Sequence, residues 1–307
     1  MNMAIKTLRI GTRGSALALK QADIVKDRIQ KIYPALKLEV VTIVTTGDKI
    51  LNKNLATIGG KGLFIKEIEE ELQNGKIDLA VHSMKDMPAI MPENFTIAAV
   101  LEREDASDVL ISHKYQSIAE IPDGAVIGTS SARRAAQALH LRPGLKIIPF
   151  RGNINTRLRK LDEMEADATF LAAAGINRIH LMDVSIMHII PKIEMLPAVS
   201  QGAIGIETLK HSALLQEMLA PLNHTETFNS INTERSFMRV FEGSCTTPIA
   251  AFAEIIDNTI HLKCLISKPD GSVIHRTSRI GNIADAVAIG EDAAIELKAI
   301  AGENFFA

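Results

Sequence analysis

Basic side chains recur along this chain at the points where predicted strands lead into helices. In parallel α/β proteins, ligands bind beyond the carboxyl ends of the strands, where loops and helix amino termini converge. The residues at these turns therefore predict a binding site for an anion. In chain order they are Arg13 and Ser15, Lys85 and Asp86, Ser131 with Arg133 and Arg134, Arg151 and Arg157, and Arg178, to which a glycine-rich stretch adds Lys61.

The arginines at these turns have two interpretations. Any one of them, taken singly, can equally well be a solvated residue at the start of a helix. The first turns of helices favour Asp and Glu, however, because the helix dipole is positive there, so repeated arginines indicate a bound anion. Guanidinium groups bind carboxylates and phosphates. The sequence contains no Walker motif and no Gly-x-Gly-x-x-Gly motif, which favours several carboxylates on a long ligand over a nucleotide.

The two cysteines differ in their surroundings. Cys264 lies in a stretch whose alternate residues fall on one strand face, which predicts a buried core thiol. Cys245 lies in a loop of small residues, bracketed by a glycine and Pro248, that can present its sulfur to a ligand. On the residues alone, a buried structural thiol remains the favoured interpretation of Cys245, since no nearby histidine can act as its base.

Asp86 is the one acid in the basic group. It can be a salt-bridge partner of Lys85 or of a neighbouring arginine, or it can act in the chemistry. In either case the nearby cations predict an ionised carboxylate at neutral pH. His82, which ends the same predicted strand, is more typical of a structural histidine than of an acid–base group.

The composition restricts the class of protein. A length of 307 residues suggests two or three domains, and a net charge of −2 gives no general basic field for nucleic acid. Two Tyr and no Trp also leave few rings for base stacking. We find no signal peptide, no membrane-spanning stretch and no cysteine-based metal site, and we expect a cytoplasmic protein with free thiols, without a metal.

Apolar runs alternate with helical patterns through the first two-thirds of the chain, which predicts parallel α/β architecture. Residues 45–62 contain four glycines and no clear period, and predict a mobile loop. Residues 194–207 have hinge character. Strands are predicted at 8–10, 37–44, 77–81, 109–111, 126–127, 147–148 and 168–172, helices at 16–32, 63–74 and 132–141, then an antiparallel meander of strands at 249–256, 259–267 and 272–280, and a last helix at 284–301.

Seven motifs, in order and in spacing, resemble those of the hydroxymethylbilane synthase (porphobilinogen deaminase) family. The resemblance runs from about residue 8 to past residue 280. Seven motifs in register are specific, although one alone would be weak. They are Arg9-Ile-Gly-Thr-Arg-Gly-Ser15, Gly59-Gly-Lys-Gly-Leu-Phe64, Val81-His-Ser-Met-Lys-Asp86, Gly128-Thr-Ser-Ser-Ala-Arg-Arg134, Arg151-Gly-Asn153, Leu196-Pro-Ala-Val-Ser-Gln-Gly202 and Gly243-Ser-Cys245.

The resemblance implies an α/β fold of three domains. Residues 1–104 with 200–221, and residues 105–199, are expected to form two lobes like those of type II periplasmic binding proteins, with the active cleft between them. Residues 222–307 are expected to form a smaller α+β domain with a three-stranded antiparallel sheet. This last domain would carry a dipyrromethane cofactor. The implied activity joins four porphobilinogen molecules head to tail with loss of ammonia, and water then releases linear hydroxymethylbilane.

The resemblance also implies a role for each matching residue. Cys245 would hold the cofactor and Asp86 would be the catalytic carboxylate. Cofactor contacts are expected from Lys85, Asp86, Ser131, Arg133, Arg134 and Arg157, and substrate contacts from Arg13, Ser15, Lys61, Arg151, Arg157 and Arg178. The expected partner is porphobilinogen alone, bound by a monomer.

Two positions depart from the family pattern. Thr57 stands where many members have a lysine, so one loop contact is in doubt unless Lys53 or Lys49 supplies it. Ser244 stands where glycine is common, and a small residue should keep the loop geometry.

Two other classes of protein compete with this interpretation. An anion-binding receptor without chemistry would share the two-lobed fold. The missing signal peptide and the third domain with Cys245 argue against it. A cysteine hydrolase would need a histidine partner, and the sequence offers none that we can place.

Overall fold

The computed structural model describes residues 5–49, 65–180, 185–242 and 247–306, with the side chains of residues 48 and 49 left out. The chain divides into two compact units. The first consists of Met1–Arg103 and Ala203–Phe228, and the second of Glu104–Gly202 and Asn229–Ala307. The division at Gly202 falls within the segment whose composition predicted a hinge.

The first unit contains a five-stranded sheet with strand order β2-β1-β3-β10-β4. Its strands are β1 (Thr7–Arg13), β2 (Lys37–Ile43), β3 (Leu79–Ser83), β4 (Phe95–Val100) and β10 (Ile204–Leu209). Its helices are α1 (Ala16–Ile32), α2 (Thr46–Lys49), α3 (Lys66–Gln73), α7 (Ala213–Leu219) and the start of α8 (Thr225–Val240).

The second unit contains two sheets. The five-stranded sheet has the order β7-β6-β8-β5-β9, formed by β5 (Asp108–Ile111), β6 (Val126–Gly128), β7 (Lys146–Ile148), β8 (Ala168–Ala172) and β9 (Met187–Ile189). The other sheet is β11 (Ile249–Ile256), β12 (Thr259–Ser267) and β13 (Ile274–Asn282), paired antiparallel throughout. The helices are α4 (Ala132–Leu141), α5 (Ile154–Asp162), α6 (Ala173–Ile179) and α9 (Ala286–Ala301).

The two five-stranded sheets share one topology, in which one strand of each sheet runs against the predicted parallel direction. Strands β1, β2 and β3 are parallel, as are β6, β7 and β8. Strand β10 pairs antiparallel with β3 and β4, and β5 pairs antiparallel with β8 and β9. Strands β5 and β10 each come directly after the chain crosses from one unit to the other. The periodicity of apolar residues does not indicate such a crossing. The predicted fold class, two α/β lobes and a three-stranded antiparallel sheet, is confirmed.

Burial explains why these segments form strands. Strand β5 is buried along its whole length, as expected for a central strand covered on both faces. In the first unit Ile10 and Leu79 pack against Val25 and Ile29 of α1. In the antiparallel sheet, alternate residues of β12 pack against Leu297 of α9. The division into three domains remains a prediction, because contacts group the last two sheets in one unit.

Several predicted boundaries moved by two or three residues. The strand predicted at 77–81 is β3 at Leu79–Ser83, and the one predicted at 272–280 is β13 at Ile274–Asn282. The predicted loop contains the short helix α2, and its residues 50–62 lie outside the described part of the chain. Strands β4, β9 and β10 and helices α7 and α8 were not predicted.

Candidate functional site

The predicted site residues cluster at the carboxyl ends of parallel strands. In the first unit, Arg13 ends β1, while Lys85 and Asp86 form a single 3-10 turn after β3. In the second unit, Ser131, Arg133 and Arg134 follow β6, and Arg151 and Arg157 follow β7. Because the carboxyl ends of parallel strands share one sheet edge, each unit gathers its own set of these side chains at one edge.

In the first unit, Ser15 and Asp86 occupy different environments. Ser15 is the N-cap of α1, and its Oγ accepts a hydrogen bond from the Ala18 amide at 3.3 Å. Asp86 is exposed, whereas the preceding Met84 is buried and donates its backbone N–H to Ala203 at 3.0 Å. A buried strand end therefore presents a solvent-accessible carboxylate.

In the second unit, capped helix starts without acidic residues line the same edge. Ser131 Oγ accepts from the Arg134 amide at 3.4 Å, and Asn153 Oδ1 accepts from the Thr156 amide at 2.9 Å. The first turns of α1, α4 and α5 contain no Asp or Glu, whereas the first turn of α3 contains two acids. Helices α6, α7 and α9 also lack acids there, so this absence leaves the three starts open to an external anion but does not by itself indicate one.

Arg151 and Arg157 flank the turn that opens α5. Gly152 has a φ of +121°, and a Cβ there would lie 2.5 Å from Thr156 Cγ2, so this position requires glycine. Arg157 Nε donates to Gly152 O at 3.0 Å. This hydrogen bond sets the direction of the Arg157 guanidinium, and the half-buried Arg151 begins the same turn.

Asp108 is the site residue that the sequence prediction missed. Arg133 Nη1 lies 2.7 Å from Asp108 Oδ2, and Arg134 Nη2 lies 2.7 Å from Asp108 Oδ1. Gln201 Nε2 also donates to Asp108 Oδ1 at 3.1 Å. All four side chains are buried. A sequence signal existed, since an Asp opening an otherwise apolar buried strand needs a cationic partner.

The charges around Asp108 do not cancel. Burial alone would raise the pKa of the Asp108 carboxyl, but attraction and hydrogen bonds from Arg133 and Arg134 hold it well below its usual range. Burial lowers the pKa of Arg134, and Asp108 opposes that shift. Two guanidinium groups thus share one carboxylate. The buried Nε of Arg133 meets no acceptor among the described residues, so one donor of the pair is left unsatisfied there.

The position of Arg178 in its helix differs from the predicted one. It was expected at a strand-to-helix turn, but it lies in the last turn of α6, because that helix begins directly at Ala173. Cations are favoured in last turns, so its position there does not indicate an anion. Its Nη2 donates to Gly202 O at 2.6 Å. Burial lowers its pKa to about 10, and Glu104 opposes the shift.

Other predicted positions lie outside the described residues or away from these edges. Cys245, Ser244, Lys61, Thr57 and Lys53 are outside the described part of the chain, as is the side chain of Lys49. The prediction that Cys264 is a core thiol is confirmed, since it is 1% exposed. Burial raises the pKa of that thiol well above its usual value.

His82 is buried, as its structural interpretation predicted, and its Nε2 lies 2.8 Å from Glu207 Oε2. Within the described ranges, His, Cys, Asp and Glu side chains form no cluster of three suited to a metal ion. No helix in those ranges is long and apolar enough to cross a membrane.

Known proteins resemble this chain over almost its full length. Residues 8–217 match a family model described as porphobilinogen deaminase, dipyromethane cofactor binding domain, and residues 228–299 match porphobilinogen deaminase, C-terminal domain. Porphobilinogen deaminase of Syntrophobacter fumaroxidans is 46% identical over 295 residues, covering 96% of this chain and 95% of the relative. That of Lawsonia intracellularis is 48% identical over 287 residues, covering 93% of each.

Among solved structures, the periplasmic aliphatic sulphonate binding protein SsuA from Escherichia coli is similar at a TM-score of 0.40 and 15% identity, covering 77% of this chain and 70% of that one. The sequence matches are far closer, and they include both family models in their natural order. The chain therefore belongs to the porphobilinogen deaminase family, the hydroxymethylbilane synthases, transferases that condense four porphobilinogen molecules into the linear tetrapyrrole of porphyrin biosynthesis.

Proposed function

We propose that Cys245 holds dipyrromethane through a thioether bond and that Asp86 is the catalytic carboxylate of the condensation. The bound cofactor supplies a free pyrrole α-carbon, to which the first substrate unit is joined. The carboxylates of both ligands are bound by basic and hydroxyl side chains: cofactor by Lys85, Ser131, Arg133, Arg134 and Arg157, substrate by Arg13, Ser15, Lys61, Arg151, Arg157 and Arg178.

One observation carries the binding part of this proposal. Arg133 and Arg134 are buried with a single carboxylate between them, and Arg133 Nε is left without an acceptor among the described residues. Buried charge that is not compensated within the protein is costly, and an anionic ligand offsets that cost. The acetate and propionate groups of porphobilinogen and of the cofactor rings are anions of the right kind for guanidinium donors.

The chemistry of the two thiols supports Cys245 as the attachment point. Cys264 packs in the core beneath the antiparallel sheet, and burial keeps its thiol protonated. The thiolate is the nucleophile of cysteine chemistry, so a buried, protonated thiol is a poor attachment site. Cys245, in a stretch of small residues, is the other cysteine of the chain.

The reaction requires a negative group among these arginines. In each addition, the carbon–nitrogen bond of the substrate's aminomethyl group breaks and ammonia leaves, expelled by the electron pair of the pyrrole nitrogen. The methylene carbon then bonds the free α-carbon of the acceptor ring, which loses its proton. Positive charge thus develops on the substrate pyrrole. The exposed carboxylate of Asp86 stabilises that charge, accepts a hydrogen bond from pyrrole N–H and takes up the released proton.

Intact mass spectrometry of the purified protein tests the attachment. We expect the wild type to carry the added mass of two pyrrole units, Cys264→Ala to keep it, and Cys245→Ser to lose both the added mass and the activity. Peptide mapping should place the modification in the fragment that contains residue 245. An adduct on the fragment containing residue 264, or an unmodified active wild type, would overturn the assignment. The monomeric state and the cytoplasmic location stay predictions, the first of which sedimentation of the holoenzyme would test.

A further inference from the structure

Three titratable side chains, two of them buried and the third half-buried, meet at the end of β3, next to the turn that carries Lys85 and Asp86. His82 Nε2 on β3 lies 2.8 Å from Glu207 Oε2 on β10, with 5% and 0% of the two side chains exposed. Glu69 on α3 reaches the same place and forms a hydrogen bond with Glu207. The mechanism above uses none of the three.

One oxygen of each of the two carboxyl groups lacks a donor. Glu69 Oε1 and Glu207 Oε1 are buried and meet no hydrogen-bond donor among the described residues. Two ionised carboxylates side by side in a buried space would repel each other, and neither could donate. One proton held between the two groups supplies the missing donor and removes the repulsion.

The backbone links this group to Asp86. Strand β3 pairs with β10 through His82 and Gly205, and the Met84 amide then donates to Ala203 O. The pairing of β10 with β4 shifts register between Ile206 and Glu207, and such irregularities often re-aim a side chain near a site. Lys85 and Asp86 follow Met84 directly, so the contact between His82 and Glu207 fixes the strand end from which they project.

We propose that Glu69 and Glu207 share one proton, and that this acid pair, together with His82, is a positioning group for Lys85 and Asp86. The positioning part rests on the proposed role of Asp86, and the shared proton does not. Loss of the proton would place a second negative charge in a buried space, separate the two carboxylates and loosen the end of β3.

The charges acting on Glu69 agree with this arrangement. Burial, as the largest cause, and the neighbouring Glu207 together raise the pKa of Glu69 to about 7, and His82 opposes the shift. On β1, which also packs on α3, Arg9 is engaged with Asp78 and Arg13 ends the strand. Because the folded protein binds this proton more tightly than the unfolded chain, the proton's contribution to stability is full below about pH 4.5 and is lost as pH rises through about 7.

Glu69→Gln provides the test, because its amide can donate permanently to Glu207 Oε1 and imitates protonated Glu69. The matched control is Glu70→Gln on the same helix, an exposed residue whose carboxylate lies 3.9 Å from Lys66 Nζ. In holoenzyme, the free energy of unfolding of wild type and Glu70→Gln should fall with rising pH by the equivalent of about one proton, and Glu69→Gln should lack that slope. The alkaline limb of single-turnover ring addition should move to higher pH in Glu69→Gln alone.

The outcomes separate the two parts of the proposal. Equal pH dependence of unfolding in wild type and Glu69→Gln would overturn the shared proton. A slope that disappears in Glu69→Gln, with an unchanged turnover profile and unchanged kcat and KM, would overturn the positioning role and leave the shared proton supported. A rate of ring addition in Asp86→Asn equal to that of the wild type would instead refute the proposed role of Asp86. That result would not change the pH dependence of the unfolding free energy that is due to Glu69.

Discussion

Arg134 contacts Asp108 Oδ1 through two of its nitrogens, Nε at 2.9 Å and Nη2 at 2.7 Å. Its third nitrogen, Nη1, donates to Phe170 O at 2.8 Å. The Arg134 guanidinium is thus held by the fold, whereas the neighbouring Arg133 keeps a buried Nε that the described residues leave without an acceptor. Arg133 is also held by the fold, through Asp108 and Leu196 O, and differs from Arg134 in that one unsatisfied donor.

Asp108→Asn should lower the free energy of unfolding strongly. Removing one partner from a buried ion pair leaves an uncompensated charge and costs about 3–5 kcal/mol. Urea unfolding at neutral pH measures this change. The control is Asp123→Asn, whose side chain is 78% exposed and lies 3.4 Å from Arg142. An exposed pair contributes about 0–1 kcal/mol, so equal losses in the two variants would contradict the prediction.

The same carboxylate predicts acid lability. The pKa of Asp108 is held well below its usual range in the folded protein, by the two arginines against the opposing effect of burial. Its contribution to stability is therefore present above the ordinary carboxyl range near pH 4 and is lost as pH falls below it. Stability measured against pH should decline at acid pH in the wild type. The part due to Asp108 should be missing from Asp108→Asn, and parallel acid profiles would argue against it.

The structure changes what Arg133→Leu should do. If Arg133 served only to bind ligand carboxylates, the variant would fold normally and lose activity alone. Because Arg133 is buried against Asp108, its loss should now reduce both activity and the free energy of unfolding. Asp108 would keep Arg134 and Gln201, so the loss of stability should be smaller than in Asp108→Asn.

Arg151→Leu should separate binding from stability. Arg151 is half-buried at the turn before α5. A hydrogen bond to a charged group contributes about 1.5–3 kcal/mol, so its loss should reduce kcat/KM by roughly tenfold or more. Arg159→Leu is the control, since Arg159 is exposed on α5 and pairs with Glu163 at 2.5 Å. Initial rates and urea unfolding should show lost activity only in Arg151→Leu. Full activity in that variant would remove Arg151 from the binding set.

The sequence predicted which side chains form the site, but it did not predict the contacts that hold those side chains in place. Turn residues such as Ser131 and Asn153 mark strand-to-helix junctions locally, so their positions could be predicted from the chain itself. The pairing of Asp108 with Arg133 joins residues 25 positions apart in a buried layer. A single sequence contains no signal for that pairing beyond the presence of a charge in an apolar strand.

Strand direction and helix starts were the other sources of error. The antiparallel direction of β5 and β10 depends on the path of the whole chain. A local pattern of apolar residues does not indicate that path. Arg178 was placed at the strand-to-helix turn after Gly175, but α6 begins at Ala173 and already contains that glycine. Tertiary packing keeps this glycine inside α6, where it is buried. Packing overrode local propensity there.

Asp86→Asn should bind substrate but turn over slowly. The change keeps the size of the side chain and removes its charge, so it takes away the group that stabilises positive charge on the substrate pyrrole. We expect single-turnover ring addition to fall a hundredfold or more, which corresponds to about 2.7 kcal/mol. Asp86→Glu should keep partial activity, because the charge survives and only its position changes. Since Asp86 is exposed, neither variant should unfold the protein.

The measurement must use holoenzyme whose cofactor load has been confirmed by intact mass, because an unloaded variant would be inactive for another reason. Asp123→Asn, exposed and outside the site, controls for the loss of a surface carboxylate. A near-parental rate in Asp86→Asn would show that Asp86 only pairs with its cationic neighbours. The condensation would then need another acid. Glu69 and Glu207 are carboxyl groups near the same turn, but Glu207 is buried, Glu69 is half-buried and the two are joined to each other, so neither is placed to replace the charge of Asp86 at the substrate.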